Sequence, residues 1–261
     1  MTIGVARSVL VLVLLALASA SAGASGLRPP VALTASPAHV DLAGTGRATV
    51  RVTNSGTHPV VLDVRRAGFA LDLRGRPKIV SQRDVGRTAA AWLGLRPRTL
   101  SLKPGATGSV TIASTVPTRA EPGDHDALVL FTTRRRAADG LAVRVRMGVV
   151  VVVRAPGEIV RRLEVRRLRV MRRGRVRTLE LSVMNRGNVT ESFTRPRMLV
   201  SLDRGGRRIA RLHGAPRELR PRTRGILQFR YRGVVTGPMI ARIEVTSDSG
   251  RVLRKAFRVR L

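Results

Sequence analysis

Two Pro-Gly pairs, Pro104-Gly105 and Pro122-Gly123, sit inside a run of alternating apolar residues from Thr99 to Thr133. Proline fixes φ and the glycine after it is free to take φ > 0, so each pair reverses the chain between extended segments. Leu100 and Leu102 precede the first turn, and Val110 and Ile112 follow it. Leu128 to Phe131 begin the next run after the second turn. Period-2 alternation with no helix-period segment between the turns predicts successive antiparallel strands of a β-sandwich.

The pattern extends in both directions. Val31–Ala35 and His39–Leu42 flank Ser36-Pro37, which predicts an edge strand interrupted by proline. Ala48, Val50 and Val52 form a half-buried strand that ends at Asn54-Ser55-Gly56, and Val60, Leu62 and Val64 form another. Residues 69–98 are less regular and hold the single tryptophan, Trp92. The preceding Thr88-Ala89-Ala90-Ala91 predicts a short helical turn that tucks the indole under the sandwich, since a lone Trp most often packs; an exposed platform for a sugar ring is the alternative. Met147–Val153 is too short an apolar run to cross a bilayer and reads as a central strand buried on both faces.

Ala155-Pro156-Gly157 marks a boundary, after which about seven further strands are expected, with Asn185-Arg186-Gly187-Asn188 repeating the Asn-x-Gly turn of the first half. The expected fold is all-β, two tandem immunoglobulin-like β-sandwich domains after a signal peptide: residues 1–24 the signal, 27–155 the first domain, 158–261 the second. Arg7, an apolar run from Val9 to Leu17, and Ala18-Ser19-Ala20 or Ala22-Gly23-Ala24 supply the charged, apolar and cleavage regions of the signal. The mature chain is expected to be secreted, associated with the cell envelope, and without an integral membrane anchor.

The residues Leu102, Pro104-Gly105, Val116-Pro117, Ala120, Pro122-Gly123, His125 and Ala127, with Trp92-Leu93 and Ala35-Ser36-Pro37 upstream, follow the pattern L-x-PG … V-P-x-x-A-x-PG-x-[HY]-x-A. Over residues 31–155 this resembles the immunoglobulin-like modules of bacterial surface proteins, the WxL-interacting proteins among them. That resemblance implies a peptidoglycan-binding domain followed by a second β-sandwich.

Charge points the same way. The formal net charge is +33, and only Lys78, Lys103 and Lys255 among the 49 basic residues are lysine. Arginine excess of this kind also follows from a GC-rich genome, yet the field it creates attracts anionic polymers at low salt. Residues 27–156 carry a net +12 and residues 157–261 a net +20. Candidate binding residues are Trp92 and the loop Arg134-Arg135-Arg136.

Catalysis has little to work with. There are no cysteines, and His39, His58 and His213 are isolated. Asp124-His125-Asp126 is the one cluster of catalytic type, but an extended strand puts the two aspartates on one face and the histidine on the other. No catalytic residue, metal site or cofactor is expected. Aromatic residues are 3% of the chain, too few for a stacking platform, and no recognition helix is visible, so nucleic acid is not an expected partner. The expected function is a non-enzymatic envelope protein binding peptidoglycan or an anionic cell-wall polymer. The alternative is an assembly or chaperone-like module that binds another exported protein through a sheet edge.

Overall fold

The computed structural model describes residues 29–80, 88–134, 144–174 and 176–261. The expected signal peptide, Arg135, Arg136 and the Asp139-Gly140 turn lie outside these residues. Among the described residues every regular element is a strand, apart from two 3-10 turns at Ala89–Trp92 and Arg195–Arg197. No helix there is long and apolar enough to cross a membrane.

The first sandwich is built from β1 (Leu33–Ser36), β2 (His39–Ala43), β3 (Arg47–Asn54), β4 (Val60–Ala67), β5 (Phe69–Leu71), β6 (Pro77–Ile79), β7 (Leu93–Arg96), β8 (Thr99–Leu102), β9 (Thr107–Ser114), β10 (Gly123–Thr133) and β11 (Arg146–Ala155). One sheet has the order β1-β3-β9-β7 and the other β2-β11-β10-β4-β8, while β5 and β6 form a separate hairpin. Alternation drives the packing. Val50, Val52, Val110 and Ile112 on one sheet, and Leu62, Val129, Phe131, Val149, Val151 and Val153 on the other, are all fully buried between them. Each such side chain contributes about 1.5–3 kcal/mol on leaving water.

Three local expectations change. Pro104-Gly105 does not close a hairpin: β8 pairs with β4 and β9 with β3 and β7, so the turn arches between the two sheets. Alternation says which side of a strand is apolar, and both sheets use the same code. The chain at Ser36-Pro37 likewise changes sheets, with β1 antiparallel to β3 and β2 parallel to β11, both at edges. β11 is buried toward the core throughout, but on its outer face only Val152 is buried, and Gly148 is exposed.

The second sandwich contains β12 (Leu163–Arg173), β13 (Val176–Asn185), β14 (Glu191–Phe193), β15 (Met198–Arg204), β16 (Arg207–His213), β17 (Arg217–Leu219), β18 (Arg224–Tyr231), β19 (Pro238–Thr246) and β20 (Val252–Arg260). Its sheets run β12-β13-β18 and β16-β15-β19-β20, with a small β14-β17 pair. Leu179, Leu181, Phe193, Met198, Leu202, Phe229 and Ile243 fill a core that shares no residue with the first. The fold is therefore two tandem immunoglobulin-like sandwiches.

The two Asn-x-Gly turns are structurally equivalent. The Asn54 side chain donates to the carbonyls of His58 (2.8 Å) and Leu102 (3.3 Å) and accepts from the Gly56 N–H (3.1 Å). Asn185 donates to Val189 (2.8 Å) and Leu219 (3.1 Å) and accepts from Gly187 (2.9 Å). Both asparagines are fully buried, so their polar side chains must find these partners within the protein.

Candidate interdomain cleft

The start of β10 meets the Asn185–Asn188 turn of the second sandwich. Asn188 Nδ2 donates to the carbonyls of Pro122 (3.0 Å) and Glu158 (2.7 Å), and the Asp124 N–H donates to the Asn188 carbonyl (2.8 Å). The approach needs glycine. Gly123 has φ +114°, and a Cβ there would lie 2.0 Å from the Asn188 oxygen.

Period 2 places Asp124 and Asp126 together on the outer face of β10, as expected, and that face is turned toward the second sandwich. Asp124 receives two bonds from Arg154 (2.7 and 3.2 Å) and one from the Thr190 N–H (2.8 Å). Burial works to raise its pKa, but Arg154 and Thr190 outweigh burial and hold it below the ordinary value. Asp126 lies 3.1 Å from the buried guanidinium of Arg220, which also reaches Glu218 at 3.0 Å. The Asp126–Arg220 contact is an attraction of charges without hydrogen-bond geometry, for Asp126 Oδ1 has no hydrogen-bond partner. Burial therefore dominates and, with Asp124 and Glu218 nearby, pushes Asp126 up to about 6 against the pull of Arg220.

Around these groups opens a cleft of about 470 Å³, lined by Asp41, Asp124 and Arg154 from the first sandwich and Arg161, Glu218 and Arg220 from the second. Arg161 is itself bonded to buried Glu191 at 2.9 Å. A second brace lies at the β5–β6 hairpin. The Leu73 carbonyl accepts from the Ile226 N–H (2.8 Å) and from Arg217 (2.7 Å), which also bonds the Asp72 carbonyl (3.3 Å). The cleft offers alternating charge and fixed donors and acceptors. Among the described residues no group of three or more His, Cys, Asp or Glu side chains could hold a metal ion.

The residues singled out from sequence do not converge. Trp92 ends the Ala89–Trp92 turn, which Thr88 caps by accepting from the Ala90 N–H (3.3 Å). Its indole is half-buried against the first core, with its ring 4.5 Å from that of His125. Arg134 lies nine residues beyond His125, a distance of about 30 Å along an extended strand. Its guanidinium bonds Asp63 (2.9 Å) and Thr99 (3.3 Å). Sequence reasoning passed over Arg154 and Arg220, because the β10 aspartates they meet, Asp124 and Asp126, lie 30 and 94 positions away. The shared phase of Asp124 and Asp126 was the available signal.

No protein-family model matches the chain, and no curated relative does. Solved structures are similar in fold. The class 5 fimbriae chaperone CfaA is 12% identical, with a TM-score of 0.51 over 86% of this chain and 98% of its own. The E. coli chaperone DraB is 13% identical, TM-score 0.45, over 88% of this chain and 99% of its own. The Pseudomonas aeruginosa chaperone CupB2 is 15% identical, TM-score 0.44, over 87% and 100%. These findings overturn the resemblance to WxL-interacting proteins: the fold is similar to that of CfaA, a fimbriae chaperone, over 98% of CfaA's length, and no family model supports the other assignment. The Pro-Gly grammar that carried the resemblance is a turn requirement of secreted sandwiches in general.

Proposed function

We propose that this chain is an exported, non-enzymatic, chaperone-like module that binds another exported protein by pairing with the free edge of β11. One observation carries the reading. On its outer edge β11 is paired by β2 only from Val150 to Arg154, and the Val150 N–H donates to the Ala38 carbonyl at 3.1 Å. On the other edge the Thr133 N–H donates to the Val145 carbonyl, which fixes the alternation: Val145, Met147 and Val149 face β10, while Arg146 and Gly148 face outward. On that outward side no strand among the described residues pairs with either of them. An extended segment from a partner can add there by β-augmentation.

The similarity of fold to CfaA, by name a chaperone of fimbriae, supports an exported protein as partner. The peptidoglycan reading rested on the resemblance corrected above and loses its support. Gly148 gives a clean test. Proline there removes an outward N–H without touching the β10 ladder, and an edge strand tolerates it. Alanine keeps the N–H and would meet only the Leu130 and Leu128 side chains at 3.5 and 3.6 Å, ordinary contact. A photoreactive residue at position 146 in the native cell should crosslink to one exported protein, with Gly148→Ala retaining the product and Gly148→Pro abolishing it. Undiminished crosslinking in the proline variant, or crosslinks only to wall polymer, contradicts the proposal.

A further inference from the structure

Where the loop of the β5–β6 hairpin crosses to the second sandwich, it closes a small hollow. The floor is the outer face of the sheet β12-β13-β18, on which the buried Leu179, Leu181 and Val183 turn Glu180 and Ser182 outward. Ser182 stands opposite Arg167 of β12 and Ile226 of β18. Arg169 of β12 and Arg224 of β18 lie one same-face step to either side of that row, opposite Glu180 and Met184. Leu73 of the first sandwich makes the wall, held by the Ile226 N–H that donates to its carbonyl at 2.8 Å. Neighbouring strands are about 4.8 Å apart and same-face residues about 6.7 Å, so three long arginine side chains meet around one point. All three line the hollow, whose volume is about 70 Å³, room for one small ion.

The charges around it are unbalanced. Among the described residues the side chains of Arg167, Arg169, Arg224 and Ser182 have no ion pair or hydrogen bond. Three like charges about one hollow repel each other, and an anion between them turns that repulsion into attraction. Guanidinium groups bind the oxygens of a tetrahedral oxyanion in paired fashion. The lining also holds one acceptor. Glu180 receives Gln228 (2.8 Å) and Arg74 (3.5 Å) on the same oxygen, Oε1, and among the described residues Oε2 has no partner. A carboxylate only accepts hydrogen bonds, so it opposes a bare anion and suits one that carries a proton to donate. Phosphate has a P–O–H group at neutral pH, and sulfate has no proton.

We infer that this hollow is a binding site for inorganic phosphate, held by Arg167, Arg169 and Arg224, with Glu180 selecting phosphate over sulfate. The site lies on the second sandwich and is independent of the β11 edge on the first. Phosphate and sulfate are titrated separately onto the full chain in about 0.15 M chloride, where charges more than about 8 Å apart are screened, and backbone amide shifts are followed by NMR. Phosphate should give saturable shifts centred on Ser182 and Ile226, and should bind about tenfold more tightly than sulfate, one charge-assisted hydrogen bond being worth about that factor. By the same factor Arg167→Gln and Arg224→Gln should each weaken phosphate about tenfold. Glu180→Gln should abolish the preference between the two ions. Arg258→Gln/Arg260→Gln, on the outer face of the opposite sheet beside Ile240 and Pro238, should leave phosphate binding unchanged. Circular dichroism of each variant establishes that the fold is kept. Equal weakening by the Arg258 and Arg260 pair shows a diffuse arginine charge and overturns the inference. So does sulfate bound as tightly as phosphate by the unaltered chain, a preference that survives Glu180→Gln, or absence of saturable shifts at Ser182.

Discussion

Removing either turn asparagine should destabilise one sandwich and spare the other. In Asn54→Ala or Asn185→Ala three backbone groups lose their partner: two carbonyls that accepted from the side-chain amide and one N–H that donated to its oxygen. At about 1 kcal/mol for each such hydrogen bond, the loss is about 3 kcal/mol. With a urea m-value of about 1.5–2 kcal/mol per M for a domain of this size, the midpoint should fall by about 1.5–2 M. The chain carries its own reporter, because its single tryptophan, Trp92, packs against the first core. Urea unfolding followed by Trp92 fluorescence should shift by this amount in Asn54→Ala and hold its wild-type midpoint in Asn185→Ala. Far-UV circular dichroism should show a low-urea transition in both variants. A fluorescence midpoint that moves equally in both would refute separate folding of residues 27–155 and 158–261. A shift under about 0.5 M in both would refute the energetic role of the turns.

Other expectations concern the cleft and the leader. Asp126 is raised to about 6 from 3.8, so between those values the folded state holds a proton that the unfolded state has released, and stability falls as pH rises from about 4 to 6. Thermal midpoints across this window should show the decline, and Asp126→Asn should flatten it. Asp124 is lowered, so its contribution is present above pH 3.8 and is lost as pH falls below that value; the Asp126→Asn variant should retain that acid limb. Gly123→Ala meets both a positive φ and the Asn188 oxygen, and backbone strain alone costs about 1–3 kcal/mol. Hydrogen exchange should quicken at the Asp124 and Thr190 amides, which bond across the junction. N-terminal sequencing of the exported protein should find a start between Ser21 and Ser25; retention of Met1 contradicts export through this signal.

The second sandwich was the more legible half. Its larger strands announce themselves by uninterrupted alternation, as in Leu179–Val183 and Met239–Val245, and its reversals carry glycine where φ is positive, as at Gly205 and Gly206. The short β14 and β17 escaped because three residues give no period to read. In the first sandwich the start of the irregular stretch 69–98 forms a hairpin that leaves the sandwich to brace its neighbour, while its end supplies the Ala89–Trp92 turn and the short β7, too brief to show a period. Which sheet a strand joins was not legible at β1, β2 or β8, because that choice depends on partners far along the chain. The cleft escaped for the same reason: Arg220 acquires its meaning only when the fold brings it to Asp126. The free edge of β11 is a property of β2 ending its pairing at Val150, a limit set by a strand more than a hundred residues earlier in the chain.

Amide hydrogen exchange along β11, in the free protein and in the purified complex with its crosslinked partner, tests the central claim most directly. In the free protein the Met147 and Val149 amides, bonded to β10, should exchange slowly, and the Arg146 and Gly148 amides should exchange rapidly. In the complex Arg146 and Gly148 should become protected while Met147 and Val149 stay unchanged, the alternating signature of a strand added to the edge. Unaltered exchange at Arg146 and Gly148 in a complex that is demonstrably bound would place the partner elsewhere and contradict the account.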